Sequence, residues 1–305
     1  MQPPAALQVV TLRSKRLQAE VLPGAAGGLG RLDWLGAGGA EPVLRPYVHV
    51  EGAPPPTTSQ LACFPLVPWS NRIDPSGFVF EDRKVALEAN RPGEPCPIHG
   101  DGWQHPWRVE AHCGSSVSLH LDRRDGTPFS YAARLRYLLT DSALQVTLET
   151  TNTGTAALPF GLGLHPWLPR RSGVTLQAGA RGTWNRGPLG LPADGIDLPA
   201  AWDFAQARAL PGESVDHVFR GWDGRAIVAW PDSRLALEIV ADMDYFILYT
   251  PVGRDVFCFE PVDHAINAHN LPGGPAHNGL TILAPGLTLR RRVAFRVHDQ
   301  SGETR

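Results

Sequence analysis

Hydrophobic and polar residues alternate in short runs along almost the whole chain, and turn-forming residues separate the runs. A period of two residues is typical of strands that bury one face. The runs that predict strands are residues 7–12, 17–22, 84–87, 107–112, 116–121, 131–140, 143–151, 226–230, 234–240, 245–249, 256–260 and 288–297. The pattern therefore predicts an all-β protein, built as an antiparallel sandwich or barrel with few short helices.

Some segments are less regular than these runs. The strands at 131–140 and 143–151 are joined by Asp141 and Ser142, which predicts a hairpin. Residues 263–270 are the best candidate for one or two helical turns. The stretch 170–211 is rich in Gly, Pro and Ala, and its weak periodicity predicts long irregular structure over one end of the sheets.

No repeat or long linker divides the chain. The prolines in residues 53–56 indicate a rigid surface loop rather than a domain boundary. We therefore expect one domain over residues 1–305.

The composition narrows the possible functions. The chain has 32 glycines and 29 prolines among 305 residues, which argues against a helical bundle. Its net charge of −2 offers no basic surface for nucleic acid. No stretch reaches 18 apolar residues and the N-terminus lacks a signal-peptide pattern, so we expect no membrane partner and no secretion.

The cysteines indicate a reducing compartment. Cys63, Cys96, Cys113 and Cys258 are scattered and form no C-x-x-C pair. This spacing predicts free thiols rather than a disulfide framework or a zinc ribbon, and favours a cytoplasmic location.

Motifs for cofactors are absent from the sequence. The glycines near residues 24–30 lack the spacing of a dinucleotide-binding turn, and no phosphate-binding loop or G-x-S-x-G elbow is present. None of the 11 histidines stands in metal-ligand spacing with a carboxylate. We therefore expect no cofactor and no metal.

Six polar residues lie instead within apolar or Gly/Pro-rich surroundings. They are Asn71, Arg72, His99, His165, Asp216 and Glu260. Each alone also has a structural interpretation, as part of a turn, as a packed core histidine or as one half of an ion pair. Glu260 is the hardest to explain structurally, because a carboxylate at the end of an apolar strand is desolvated unless it is paired.

Taken in order, the segments that carry these residues resemble the aldose 1-epimerase (galactose mutarotase) family. The matching pieces are Asn71-Arg72-Ile73, Ile98-His99-Gly100, Gly161 to Trp167 with His165, Asp216 with Phe219, Phe259-Glu260-Pro261 and Ala284-Pro285-Gly286. The resemblance extends from about residue 20 to 297. It implies a large galactose mutarotase-like β-sandwich whose concave face holds a sugar.

The resemblance also implies roles for the residues. Glu260 matches the general base of the family and His165 matches its general acid. Arg72, His99 and Asp216 match groups that hold the sugar hydroxyls or assist at the ring oxygen, and Asn71 belongs to the same motif. The chain departs from the larger galactose-specific enzymes in its short interval between residues 165 and 260.

This assignment agrees with the chemistry of a hemiacetal. Interconverting α and β anomers needs a base at the C1 hydroxyl and an acid at the ring oxygen, without metal, nucleotide or covalent intermediate. We therefore expect a hexose mutarotase that acts on a small-molecule sugar, as a monomer or homodimer. Three alternatives stay open: a hexose-6-phosphate mutarotase, a non-catalytic sugar-binding or regulatory protein on the same fold, and a glycoside hydrolase in which Asp216 partners Glu260.

Overall fold

The computed structural model describes residues 7–50, 54–124 and 128–300, and within them the chain is almost entirely β. The first strands are β1 (Val10–Arg13), β2 (Leu17–Leu22), β3 (Gly28–Gly36), β4 (Gly39–Pro42), β5 (Pro65–Leu66), β6 (Phe78–Phe80), β7 (Arg83–Val85), β8 (Arg108–Cys113), β9 (Ser116–Arg123), β10 (Tyr131–Leu139), β11 (Ala143–Asn152) and β12 (Leu158–Phe160). The remaining strands are β13 (Gly163–Leu164), β14 (Trp167–Pro169), β15 (Thr175–Ala178), β16 (Gly182–Arg186), β17 (Pro192–Asp197), β18 (Phe204–Ala209), β19 (Asp216–Arg220), β20 (Arg225–Trp230), β21 (Leu235–Ala241), β22 (Tyr245–Tyr249), β23 (Val256–Val262), β24 (Thr281–Leu283) and β25 (Thr288–Asp299).

Helices are few and short. The described residues contain one four-residue α-helix, α1 (Gly274–His277), and 3-10 turns at Thr58–Gln60, Gly102–Gln104, Pro188–Gly190 and Ala200–Trp202. No helix in the described part of the chain is long and apolar enough to span a membrane.

Two large antiparallel sheets dominate the fold. One has nine strands in the order β18-β15-β20-β21-β25-β11-β10-β9-β8. The other has eight, in the order β17-β16-β19-β22-β23-β13-β5, with β14 also paired to β23. A four-stranded sheet, β1-β2-β3-β4, and two two-stranded ribbons complete the structure. The all-β, antiparallel sandwich predicted from the sequence is confirmed.

Alternating burial along the strands explains why the sequence pattern predicts them. Along β10, every second residue from Tyr131 to Leu139 is buried, and its partner β11 pairs Tyr131 with Asn152 and Leu139 with Leu144. The predicted hairpin is therefore confirmed.

One large core cluster joins the two main sheets. It includes Leu135 and Phe295 from the nine-stranded sheet and Phe246, Phe257 and Phe259 from the eight-stranded sheet. Burying each such aromatic side chain contributes about 1.5–3 kcal/mol. That the whole of residues 1–305 forms a single domain stays a prediction.

Two segment predictions were wrong. The stretch 170–211 is not irregular: it contributes β15 to β18, which extend both large sheets. Its strands are short and several are exposed, so they carry little of the apolar alternation that marks a strand in sequence. Residues 263–270 form bends and turns, and the α-helix begins later, at Gly274. Residue 53, the first of the predicted surface loop at 53–56, lies outside the described residues.

Candidate functional site

The register of the eight-stranded sheet brings residues that are distant in sequence onto one face. Asp216 pairs with Tyr249, Tyr249 with Cys258, and Cys258 with Trp167, across four neighbouring strands. Paired residues in an antiparallel sheet point to the same face. Phe257 and Phe259, the neighbours of Cys258 on β23, belong to the core, so this row of residues lies on the opposite face of the sheet.

The same periodicity places Glu260 and His165. Glu260 stands two residues after Cys258 on β23, so its side chain leaves the same face. Phe257 and Phe259 point the other way, into the core, because successive side chains of a strand leave opposite faces. His165 precedes Trp167 by two residues, and its backbone N–H donates to the carbonyl of Phe64 at 3.0 Å.

His165 and Glu260 meet at the floor of an open cleft. The distance from His165 Nε2 to Glu260 Oε1 is 3.4 Å, and the glutamate side chain is only 3% exposed. Glu260 Oε2 is also buried and has no hydrogen-bond partner among the residues that the structure describes. The cleft has a volume of about 770 Å³, enough for a monosaccharide. Because Glu260 lines this cleft, its carboxyl group can meet a ligand that binds there.

Burial shifts the pKa values of Glu260 and His165 in opposite directions. It raises the pKa of Glu260 well above its ordinary value; the charge of Asp216 raises it further, and that of Arg72 opposes the shift. Burial lowers the pKa of His165 to about 3. Both shifts favour the neutral forms of the two groups, the carboxylic acid and the imidazole, over the charged forms.

His99 is held by a strained turn beside this pair. Asn71 and His99 both have positive φ, 53° and 62°, a conformation that costs free energy in residues with side chains. Two hydrogen bonds hold them together: Asn71 N–H donates to His99 Nδ1 at 3.0 Å, and His99 N–H donates to the Asn71 carbonyl at 2.9 Å. Gly100 follows with φ 65°, where a Cβ would lie 2.1 Å from the Val67 carbonyl oxygen. Because Nδ1 accepts a hydrogen bond, neutral His99 carries its proton on Nε2.

Arg72 and Asp216 also line the cleft, and each is held by an ion pair. Arg72 donates from Nε and from one terminal nitrogen to a single oxygen of Glu94, at 3.1 and 2.9 Å. Asp216 Oδ2 lies 3.0 Å from the guanidinium of Arg186. All six residues named from the sequence therefore line the same cleft.

An aromatic wall surrounds the histidines. Phe64 stacks on His165 with ring centroids 4.5 Å apart, and Trp167 lies 5.4 Å from the same ring. Tyr249 meets the Trp167 ring edge-on at 6.0 Å. Aromatic rings of this kind can pack against the apolar face of a sugar ring.

Of the tryptophans near the polar motifs, only one lines the cleft. Trp167 does so, and its indole N–H is buried without a partner. Trp69 packs instead against Phe129 in the core, at 5.3 Å, and Trp103 packs behind His99 at 6.4 Å.

Arg45 is a cleft residue that the sequence did not indicate. Its guanidinium lies 4.6 Å from the centroid of the Trp167 ring and donates to the carbonyls of Ser59 and Leu61 at 2.6 and 2.5 Å. No motif distinguishes this arginine from others in loops. Phe64 was missed for the same reason, since a single phenylalanine in an apolar run indicates only core.

One further group lies beside the acid–base pair. The thiol of Cys258 and ligand-type atoms of His165 and Glu260 all lie within 4.8 Å of one another, and all three residues are buried. Among the described residues, this is the cluster of histidine, cysteine and carboxylate groups that could hold a metal ion.

Comparison with known proteins identifies the family of the chain. The sequence profile of the family described as aldose 1-epimerase matches residues 32–296. An uncharacterised protein of Escherichia coli K12, YphB, is 33% identical over 266 residues, which cover 84% of this chain and 89% of that protein. A second uncharacterised protein of the same organism, YihR, is 25% identical over 77% of this chain and 78% of its own length.

Solved structures show the same fold. A crystal structure from Escherichia coli K12, provisionally assigned as an aldose 1-epimerase, superposes with a TM-score of 0.87 at 30% identity, covering 96% of this chain and 99% of that one. A galactose 1-epimerase from Lactobacillus acidophilus superposes with a TM-score of 0.75 over 96% of this chain and 95% of its own; at 17% identity it supports the fold alone. The family resemblance read from the sequence is confirmed: the chain belongs to the aldose 1-epimerase family.

Proposed function

We propose that this protein is a mutarotase that interconverts the α and β anomers of a free aldose. The observation that carries the proposal is the His165–Glu260 pair, 3.4 Å apart at the floor of an open cleft, with one carboxyl oxygen left unpaired. An imidazole and a carboxylate that both reach one small volume can act on two oxygens of one anomeric carbon.

Ring opening moves two protons. Glu260, as the carboxylate, takes the proton of the C1 hydroxyl while the bond from C1 to the ring oxygen breaks and C1 becomes a carbonyl. His165, as imidazolium, gives its proton to the ring oxygen. Rotation about the C1–C2 bond followed by the reverse transfers closes the other anomer and restores both groups, so no net proton is consumed.

The sugar must therefore bind to the charged form of the pair. Burial raises the pKa of Glu260 and lowers that of His165, which opposes this charged form. The charge of Arg72 already lowers the pKa of Glu260, against the effect of burial. Sugar hydroxyls that donate to the carboxylate would add to that effect and move the proton onto His165.

The remaining residues suit the binding of hydroxyl groups. His99 offers its Nε2–H as a donor, because its Nδ1 already accepts the Asn71 N–H. Arg72 offers donors and Asp216 offers acceptor oxygens, both in fixed positions because Glu94 and Arg186 hold them. Asn71 acts through its backbone, by fixing His99.

A phosphorylated hexose is a second candidate substrate, supported by two arginines. Arg91 and Arg254 line the cleft, and no ion pair between residues in the described ranges involves either of them. Two other arginines, Arg170 and Arg171, could also have bound a phosphate, but both are engaged away from the cleft. Arg170 donates to the Pro211 carbonyl, and Arg171 pairs with Glu41. Free guanidinium groups at a cleft rim favour a phosphate.

Two other classes fit less well. A purely sugar-binding protein needs no matched acid and base beside an unpaired carboxyl oxygen. A glycoside hydrolase needs two carboxyl groups facing the bond. Here the group 3.4 Å from Glu260 is an imidazole, and Asp216 is paired with Arg186.

The test is polarimetry of freshly dissolved α-glucose, α-galactose and glucose 6-phosphate, with and without the protein. We expect faster approach to anomeric equilibrium for at least one sugar, and the ranking identifies the substrate class. If the protein accelerates none of these sugars or other common aldoses, the enzyme proposal is wrong, and equilibrium dialysis against the same sugars then tests the binding alternative.

A further inference from the structure

The proposed sugar chemistry leaves the thiol of Cys258 without a role. Strand register places this side chain on the cleft face of β23, two residues before Glu260. Its sulfur, the imidazole of His165 and the carboxylate of Glu260 lie mutually within 4.8 Å. The sulfur is buried, and none of the hydrogen bonds assigned in the described part of the chain involves it, so none competes with a metal ion for its lone pairs.

The donor set and spacing suit a tetrahedral metal ion. Zinc binds nitrogen, sulfur and oxygen donors at about 2.0–2.3 Å, which separates neighbouring ligands by about 3.4 Å. The distance from His165 Nε2 to Glu260 Oε1 is already 3.4 Å. The two remaining distances, from the Cys258 sulfur to His165 and to Glu260, are at most 4.8 Å, so a side-chain movement of about 1 Å brings the sulfur to ligand distance. Three protein ligands leave a fourth position for another ligand, and His165 and Glu260 line the cleft.

We propose that His165, Cys258 and Glu260 form a binding site for Zn²⁺, and that zinc bound there inhibits the protein. The ion would occupy the lone pairs of both the general acid and the general base, so zinc and sugar would exclude each other. The inhibitory half of this inference rests on the proposed function, whereas the binding half does not.

Binding is a proton exchange without redox chemistry. The Cys258 thiol releases its proton to solvent as the sulfur–zinc bond forms, and Glu260 releases its own if it is protonated. His165 coordinates through the lone pair of its neutral imidazole. Affinity should therefore rise with pH.

The chain offers a matched control thiol. Cys113 is exposed, beside the hydroxyls of Ser115 and Ser116, and lies on β8 of the other large sheet. It is the thiol that a nonspecific metal would reach first. Cys258→Ser and Cys113→Ser are therefore the same substitution at the proposed site and at a remote one.

The binding test uses Co²⁺ as a spectroscopic substitute for Zn²⁺. We expect the unaltered protein and Cys113→Ser to show a thiolate-to-cobalt charge-transfer band that one equivalent of Zn²⁺ abolishes. Cys258→Ser should lack the band while keeping the circular dichroism of the parent. Absence of the band in the unaltered protein, or its persistence in Cys258→Ser, overturns the site.

The activity test uses the mutarotation assay with added Zn²⁺ and then EDTA. We expect saturating Zn²⁺ to lower kcat/KM at least about tenfold, with full recovery on chelation, while Cys258→Ser stays within about twofold of its own metal-free rate. Full activity with zinc bound overturns the inhibitory role. If the protein has no mutarotase activity at all, the cobalt spectrum still decides the binding half, so the two proposals fail independently.

Discussion

Replacing Glu260 by glutamine should remove most of the proposed catalytic activity without destabilising the fold. Glutamine keeps the volume and planarity of the side chain, which is 3% exposed and fills the cleft floor. The amide cannot accept the C1 hydroxyl proton. We expect kcat/KM to fall by about 10²–10⁴-fold, as is typical for the loss of a general base. That loss corresponds to about 2.7–5.4 kcal/mol of transition-state stabilisation, at about 1.36 kcal/mol per factor of ten.

The same substitution should not weaken the fold. Burial, with the charge of Asp216, raises the folded-state pKa of Glu260 above its unfolded value, so the folded state binds the proton more tightly. Glu260 therefore contributes its full stabilisation to the folded state at low pH. This contribution decreases as the pH rises from about 4.5, the pKa in the unfolded chain, through the higher pKa in the folded protein. Glutamine has no proton to lose, so Glu260→Gln should be at least as stable as the parent at pH 7–8.

A matched variant, Glu238→Gln, should lose stability and keep its activity. Glu238 is another buried carboxylate, on β21 of the nine-stranded sheet, where it pairs with Arg225 at 2.6 Å and Arg296 at 3.2 Å. Although burial opposes it, hydrogen bonding to these arginines lowers the pKa of Glu238. Glu238→Gln should therefore lose stability above the unfolded pKa and retain mutarotase activity.

Polarimetry and urea unfolding followed by circular dichroism measure both properties for each variant. A Glu260→Gln protein with a near-parental kcat/KM would remove this residue from the mechanism. A Glu260→Gln protein that unfolds at markedly lower urea would show that the carboxyl group has a structural role that the cleft geometry does not reveal.

Three further predictions concern the ligand, the metal and the exposed thiol. A crystal soaked with the accelerated sugar should place the ring oxygen near His165 and O1 near Glu260, each at about 2.6–3.2 Å; the reverse arrangement would exchange the two roles. Activity should survive exhaustive chelation and dialysis, because the proposed proton transfers use protein groups alone; loss with EDTA and recovery with a divalent ion would contradict this. Hydrogen bonds from Ser116 and Ser115 lower the pKa of Cys113 to about 7, while the other three cysteines are buried. A thiol reagent should therefore label one group per native chain, at a rate that rises with pH through about 7, and Cys113→Ser should not be labelled under the same conditions.

Strands could be predicted from the sequence where one face of the strand is buried and the other face is not. Strands β2 and β22 begin and end at the residues that the alternation predicted, Leu17–Leu22 and Tyr245–Tyr249. Strand β17 has no fully buried residue, and β18 has one, Phe204, so alternation could not indicate them. Both are edge strands, β17 paired with β16 and β18 paired with β15, and they form through backbone pairing with almost no side-chain burial, which a hydrophobic pattern does not indicate.

The cleft shows a different limit of sequence reasoning. Six residues could be named because each is a polar group in an apolar or Gly/Pro-rich setting, and all six line one cleft. Arg45 and Cys258 could not be named, because Arg45 is one loop arginine among several and Cys258 owes its position to strand pairing. Cys258 faces the cleft since β23 pairs with β14 in a register that sets it opposite Trp167. A shift of that register by one residue would turn the cysteine and Glu260 into the core and bring Phe257 and Phe259 to the cleft. The large aromatic side chains on the core face therefore fix the register, and through it they hold the candidate base and the neighbouring thiol on the face where a ligand can bind.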